Sequence, residues 1–241
     1  MDGYRIPSAL VLAAGVGLAP IPSTAADSAP GWQVSLRGGT GSSVHDLAAT
    51  GPADAWAAGA RKTRTLDPRN GSYFTAPLIR HWNGSRWTTT TNPAGPTGFP
   101  LREVSLVDAS SPANVWTAGT AVAPGTGDVS AATRSVLSRW DGTRWRLMGS
   151  GRTTITDLDV LDATHTWILG RDDRTGKGFF KRFASGRWTS LPFPASLKGI
   201  SVRSPGDIWG FGASSPSSVM CWNGRAWRTV RLPEITVPAA P

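Results

Sequence analysis

The stretch RHWNGSRW, Arg80 to Trp87, places a turn between two tryptophans. The chain repeats it as SRWDGTRW (Ser138 to Trp145), KRFASGRW (Lys181 to Trp188) and MCWNGRAW (Met220 to Trp227). Asn83-Gly84, Asp141-Gly142 and Asn223-Gly224 tolerate positive φ, so each copy reads as a hairpin between two short strands. The third copy departs from this pattern, with Phe183 for tryptophan and its glycine displaced to Gly186, and its hairpin is expected to differ in shape.

Ahead of each hairpin stands a second motif: DAWAAG (Asp54 to Gly59), NVWTAG (Asn114 to Gly119), HTWILG (His165 to Gly170) and DIWGFG (Asp207 to Gly212). Before each of these comes a short alternating apolar run, VHDLAA, VSLVDA, ITDLDVLDA or LKGISV. Every copy therefore holds four strand candidates and no helical periodicity. Repetition at roughly 40 to 60 residues with four strands per repeat predicts an all-β chain, a β-propeller of four-stranded antiparallel blades. Trp56, Trp116, Trp167 and Trp209 are expected to pack between neighbouring blades, because one repeat cannot bury its faces alone. Gly31 to Leu36 reads like the fourth strand of a blade, so the chain holds four full repeats plus one extra N-terminal strand. That surplus strand leaves an edge through which two copies could pair.

On the D-x-W-x-x-G and W-[ND]-G-x-x-W motifs, residues 31–232 resemble secreted actinobacterial propeller-repeat proteins, and more loosely the kelch and galactose-oxidase propellers. The resemblance implies fold and almost nothing about function, because propellers host many unrelated activities.

Twelve tryptophans against two tyrosines show that tryptophan is used repetitively. The net charge of +9 favours anionic partners, but the arginines are scattered through the repeats and form no block like a nucleic-acid arm, so nucleic acid is not expected. The leader has Arg5, an apolar run from Ala9 to Ala19 too short to span a bilayer, and small residues at Ser23 to Ala26, and it reads as a signal peptide over 1–26. Residues 27–30 are expected to be a short leader, 31–232 the propeller domain and 233–241 a C-terminal tail. Secretion is expected, and no later apolar run is long enough for a membrane span. A single cysteine, Cys221, excludes an intramolecular disulfide.

Loop length separates two rims. The links from first to second strand hardly vary, whereas those from second to third run Ala60 to Pro77, Thr120 to Ser135, Arg171 to Gly178 and Ala213 to Ser218. Function gathers where a scaffold tolerates insertion. The expected ligand-binding residues on that rim are Arg61, Arg64, Asp67, Arg69, Asn70, Tyr73, Phe74, Arg134, Arg171 and Arg174, with Lys62, Asp128, Lys177, Phe99 and Arg102 beside them. Guanidinium forks, carboxylates and an aromatic ring suit a sugar or an anionic polymer.

Catalytic signals are weak. Asp172, Asp173, Tyr73 and Glu103 are the candidates for acid, base or nucleophile in a central site, and Asp157 with Asp159 is a second carboxylate pair with the chemistry for acid/base work or for binding Ca²⁺. His45, His81 and His165 fall in separate repeats without ligand spacing, so no metal or cofactor is expected. The leading expectation is a secreted, non-catalytic propeller that binds a carbohydrate or anionic cell-envelope polymer. A propeller lyase, hydrolase or cyclase with a central site, and a structural or assembly protein, are the alternatives.

Overall fold

The computed structural model describes residues 36, 39–66, 73–93, 95–123, 133–194, 197–212 and 218–232. The expected strand from Gly31 to Leu36, the leader and the tail lie outside them, apart from Leu36 itself. Four four-stranded antiparallel sheets follow one another along the chain, each an up-and-down meander. The first contains β1 (Ser42–Gly51), β2 (Asp54–Leu66), β3 (Tyr73–Trp82) and β4 (Trp87–Thr89). The second contains β5 (Leu101–Ser111), β6 (Asn114–Val122), β7 (Thr133–Trp140) and β8 (Trp145–Gly151). The third contains β9 (Thr153–Val160), β10 (Thr166–Asp172), β11 (Gly178–Ala184) and β12 (Arg187–Leu191). The fourth contains β13 (Leu197–Ser204), β14 (Asp207–Gly212), β15 (Ser218–Trp222) and β16 (Trp227–Arg231). No helix among the described residues is long and apolar enough to cross a membrane.

The hairpin motif forms as its residues dictate. Gly84, Gly142 and Gly224 each have φ near +90°, and Asn83 Oδ1 accepts the amides of Ser85 and Arg86 to close the loop. The third copy uses two residues, Ser185 and Gly186, both at positive φ, between the paired Ala184 and Arg187. This is the tight turn that matches strand twist, and it accounts for the displaced glycine.

Sheets join face to face. β5 packs on the first sheet, β9 on the second and β13 on the third. Trp56 meets Trp140 and Trp145 at 6.1 Å, and Trp116 meets Phe183 at 5.2 Å and Trp188 at 5.9 Å. Trp167 is buried with Trp222. The tryptophan of one repeat therefore lies against the hairpin aromatics of the next. Three cores result, between first and second, second and third, and third and fourth sheets. Trp209 departs from expectation: it is 37% exposed where its three counterparts are at most 2%, because no described core lies beyond the fourth sheet.

Carboxylates fasten the same junctions. Asp46 Oδ2 accepts the Val107 amide at 2.8 Å, and Asp108 Oδ2 accepts that of Val160 at 2.6 Å. Asp157 and Asp159 accept those of Ile200 and Val202 at 2.6 and 2.9 Å. Asp157 and Asp159, read from sequence as a candidate acid/base or calcium pair, thus join the third sheet to the fourth.

Candidate functional site

In an up-and-down meander the link from second to third strand and the connection to the next sheet emerge at the same end. On this rim the second and third sheets frame a depression of about 630 Å³, lined by Arg134, Gly151, Arg152, Thr153, Asp172 and Arg174. Arg134 lies at the start of β7, Gly151 ends β8, Thr153 opens β9, and Asp172 ends β10. Among the described residues, three arginines and one carboxylate share the cavity, drawn from β7, the β8–β9 connection and the β10–β11 region.

Its frame is tied by hydrogen bonds. Ser135 Oγ lies 2.6 Å from Thr153 Oγ1, Thr154 Oγ1 donates to Asp173 Oδ1 at 2.8 Å, and the Asp173 amide donates to the Arg152 carbonyl at 3.1 Å. Asp172 Oδ1 accepts the amides of Arg174 and Thr175, both at 2.9 Å. The Thr175 amide bond, outweighing partial desolvation, holds the Asp172 carboxyl below the usual aspartate range. Asp172 is therefore an ionised turn-former, poorly suited to act as a general acid at neutral pH. Arg171 Nη2 lies 3.8 Å from Asp173 Oδ1 in an exposed pair.

The guanidinium of Arg134 stacks over the Phe99 ring at 4.9 Å, and that of Arg102 over Phe74 at 4.5 Å. Arg134 Nη1 is buried with no hydrogen-bond partner among the described residues. The structure thus pairs four residues singled out from sequence and sets Arg134, Arg174 and Asp172 around one cavity.

Other expectations do not converge there. Arg61, Lys62 and Arg64 were read as loop residues but belong to β2, which runs to Leu66 and pairs with β3 as an extended ribbon. Alternating side chains across a strand carry the pattern further than loop-length reasoning allows. Asp67, Arg69, Asn70 and Asp128 lie outside the described residues, and Tyr73 is described only as the backbone opening β3. Glu103, on β5 opposite Thr120, does not line the cavity. Arg171 near the end of β10, and Asp173 and Lys177 on the β10–β11 turn, flank the cavity without lining it.

Arg152 was missed in the sequence because it is the single residue between β8 and β9, and long insertions were the signal being followed. A basic residue in a one-residue connection on the same rim was the available clue. The histidines serve local roles: His81 Nε2 pairs with Asp54 Oδ1 at 2.7 Å and stacks on Trp56 at 4.3 Å. Asp54 also bonds Thr50, so this group caps the opposite rim. His165 pairs with Asp162 at 3.0 Å. Among the described residues no group of three His, Cys, Asp or Glu side chains is arranged to hold a metal ion.

Comparison with protein-family models and with curated proteins finds no match for this chain.

Proposed function

We propose that the four sheets are blades of a β-propeller, and that the protein is an exported, non-catalytic module binding an anionic glycan or cell-envelope polymer on its variable rim. The observation that carries this reading is the cavity itself, in which Arg134, Arg152 and Arg174 meet around about 630 Å³ with Asp172 as the one carboxylate among the described lining residues. Guanidinium forks bind carboxylate, sulfate or phosphate bidentately, and Asp172 accepts hydroxyl donors from a sugar. Phe74 and Phe99 already carry stacked guanidinium groups, which holds those cations on the rim with no carboxylate ion-paired to them among the described residues. The net charge of +9 adds long-range attraction for a polyanion.

The test is calorimetric titration with a uronic-acid or sulfated polysaccharide and with neutral dextran, at low and physiological salt. Binding of the acidic polymers alone, weakened at least tenfold by combined Arg152→Ala and Arg174→Ala with unchanged unfolding, is the expected result. No acidic-polymer binding, or equal binding by the variant, refutes the reading. Export is checked separately: the protein recovered from culture medium should begin at Asp27.

A further inference from the structure

Three times in this chain a face on one sheet is covered by a face on the next. The covering register is the same each time. On the outgoing side stand the tryptophan of the second strand and the residue two positions on: Trp56 with Ala58, Trp116 with Ala118, Trp167 with Leu169, all buried. On the incoming side stands the first-strand residue paired with the position after that tryptophan: Val107 opposite Thr117, Leu158 opposite Ile168, Ile200 opposite Gly210. These three are also buried.

Both halves recur once more, exposed, at the two ends of the row of sheets. The outgoing positions of the fourth sheet are Trp209 and Phe211, the latter 47% exposed. The incoming position of the first sheet is Leu47, opposite Ala57 and 53% exposed, with Val44 beside it. These four are among only six large apolar residues exposed in the described chain, and they fall as one pair on each unpartnered end face.

The halves also complement each other in volume. Phe211 replaces the Ala58, Ala118 or Leu169 of the internal junctions, so the outgoing face of the fourth sheet is bulkier. Ala55 of the first sheet stands where the other sheets carry buried Val115, Thr166 and Ile208, so the incoming face is shallower. No described core joins the fourth sheet to the first within the chain.

We infer that these faces are the two halves of one interface and that a second copy of this chain completes it. Trp209 and Phe211 of each copy pack on Val44 and Leu47 of the other. Two identical head-to-tail junctions close eight sheets into a ring, the condition under which such contacts end in a dimer rather than a filament. Association is through sheet faces and not through a free strand edge. The inference does not depend on the ligand proposed for the rim.

Sedimentation velocity and light scattering on the full chain over a wide concentration range should give twice the chain mass. Trp209→Asp and, separately, Leu47→Asp should each give the mass of one chain with an unchanged far-ultraviolet spectrum, because both side chains are exposed in the single chain. Mixing the two variants should restore a two-chain species, since one intact fourth sheet then meets one intact first sheet. A wild-type protein that stays a single chain at every concentration overturns the inference. So does a dimer that survives both variants, a mixture that does not associate, or a mass that grows beyond two chains.

Discussion

Asp108 of β5 reaches across to the next sheet, where its Oδ2 accepts the backbone N–H of Val160 in β9 at 2.6 Å while its Oδ1 takes the Ala109 amide of its own strand at 2.8 Å. One side chain thereby satisfies donors on two sheets; Asp46 and Asp157 repeat the device at the other junctions, and Asp159 reaches the Val202 amide of the fourth sheet. Removing the carboxylate leaves amides unsatisfied in a half-buried junction. Asp108→Ala should lower stability by about 1 to 3 kcal/mol, read as a lower urea midpoint with unchanged slope. An unaltered midpoint would show that water replaces the bond at no cost.

Burial pushes the Asp157 carboxyl up from its ordinary 3.8 to about 7, against the amide bonds from Ile200 and Leu158 and with help from the nearby Asp159 and Asp46 charges. Burial likewise raises Asp46. Between the two values the folded chain binds the Asp157 proton and the unfolded chain does not. Stability is therefore highest below about pH 4 for this group and falls as pH rises to about 7, by roughly 4 kcal/mol at most. Asp162 has the opposite sign: burial raises it, but Thr164 and His165 outweigh that and bring it to about 2, so its contribution is lost as pH falls below 3.8. Thermal unfolding should be most resistant in mild acid, and Asp157→Asn should flatten the decline from pH 4 to 7.

The glycine closing each W-x-x-G motif in the first three sheets packs against the first strand. A Cβ at Gly59 or Gly119 would fall well inside van der Waals distance of the Ser43 or Glu103 carbonyl oxygen, and one at Gly170 would meet Thr154 O at 2.5 Å. Backbone cannot yield as a flexible side chain can. Gly119→Ala should cost roughly 1 to 3 kcal/mol, whereas Gly149→Ala, with nothing within 4 Å, should leave the denaturation midpoint nearly unchanged.

Trp116 and Trp209 hold the same place in their repeats but not the same environment. Trp116→Ala empties a packed core and should destabilise by about 3 to 5 kcal/mol. Trp209→Ala, measured on dilute single chains, should cost less than about 1 kcal/mol. Equal losses would mean that the fourth sheet is covered within the chain.

The sequence by itself determined the unit and its internal logic. Period-two apolar alternation, Asn-Gly and Asp-Gly turns, and paired tryptophans are local signals, and strand number, hairpin position and the odd third turn follow from local backbone preference. It also marked the rim, since loop length is read directly along the chain, and with it Arg134, Asp172 and Arg174. Only tertiary structure decided which side chains share the cavity, because Arg152 and Asp172 come together through sheet packing that no local pattern encodes. It also decided that Asp157 and Asp159 fasten sheets, since their acceptors' partners lie 43 residues away. Finally, it separated Trp209 from its three counterparts. Identical motifs give identical local conformations, but burial depends on whether a neighbouring sheet arrives to cover them.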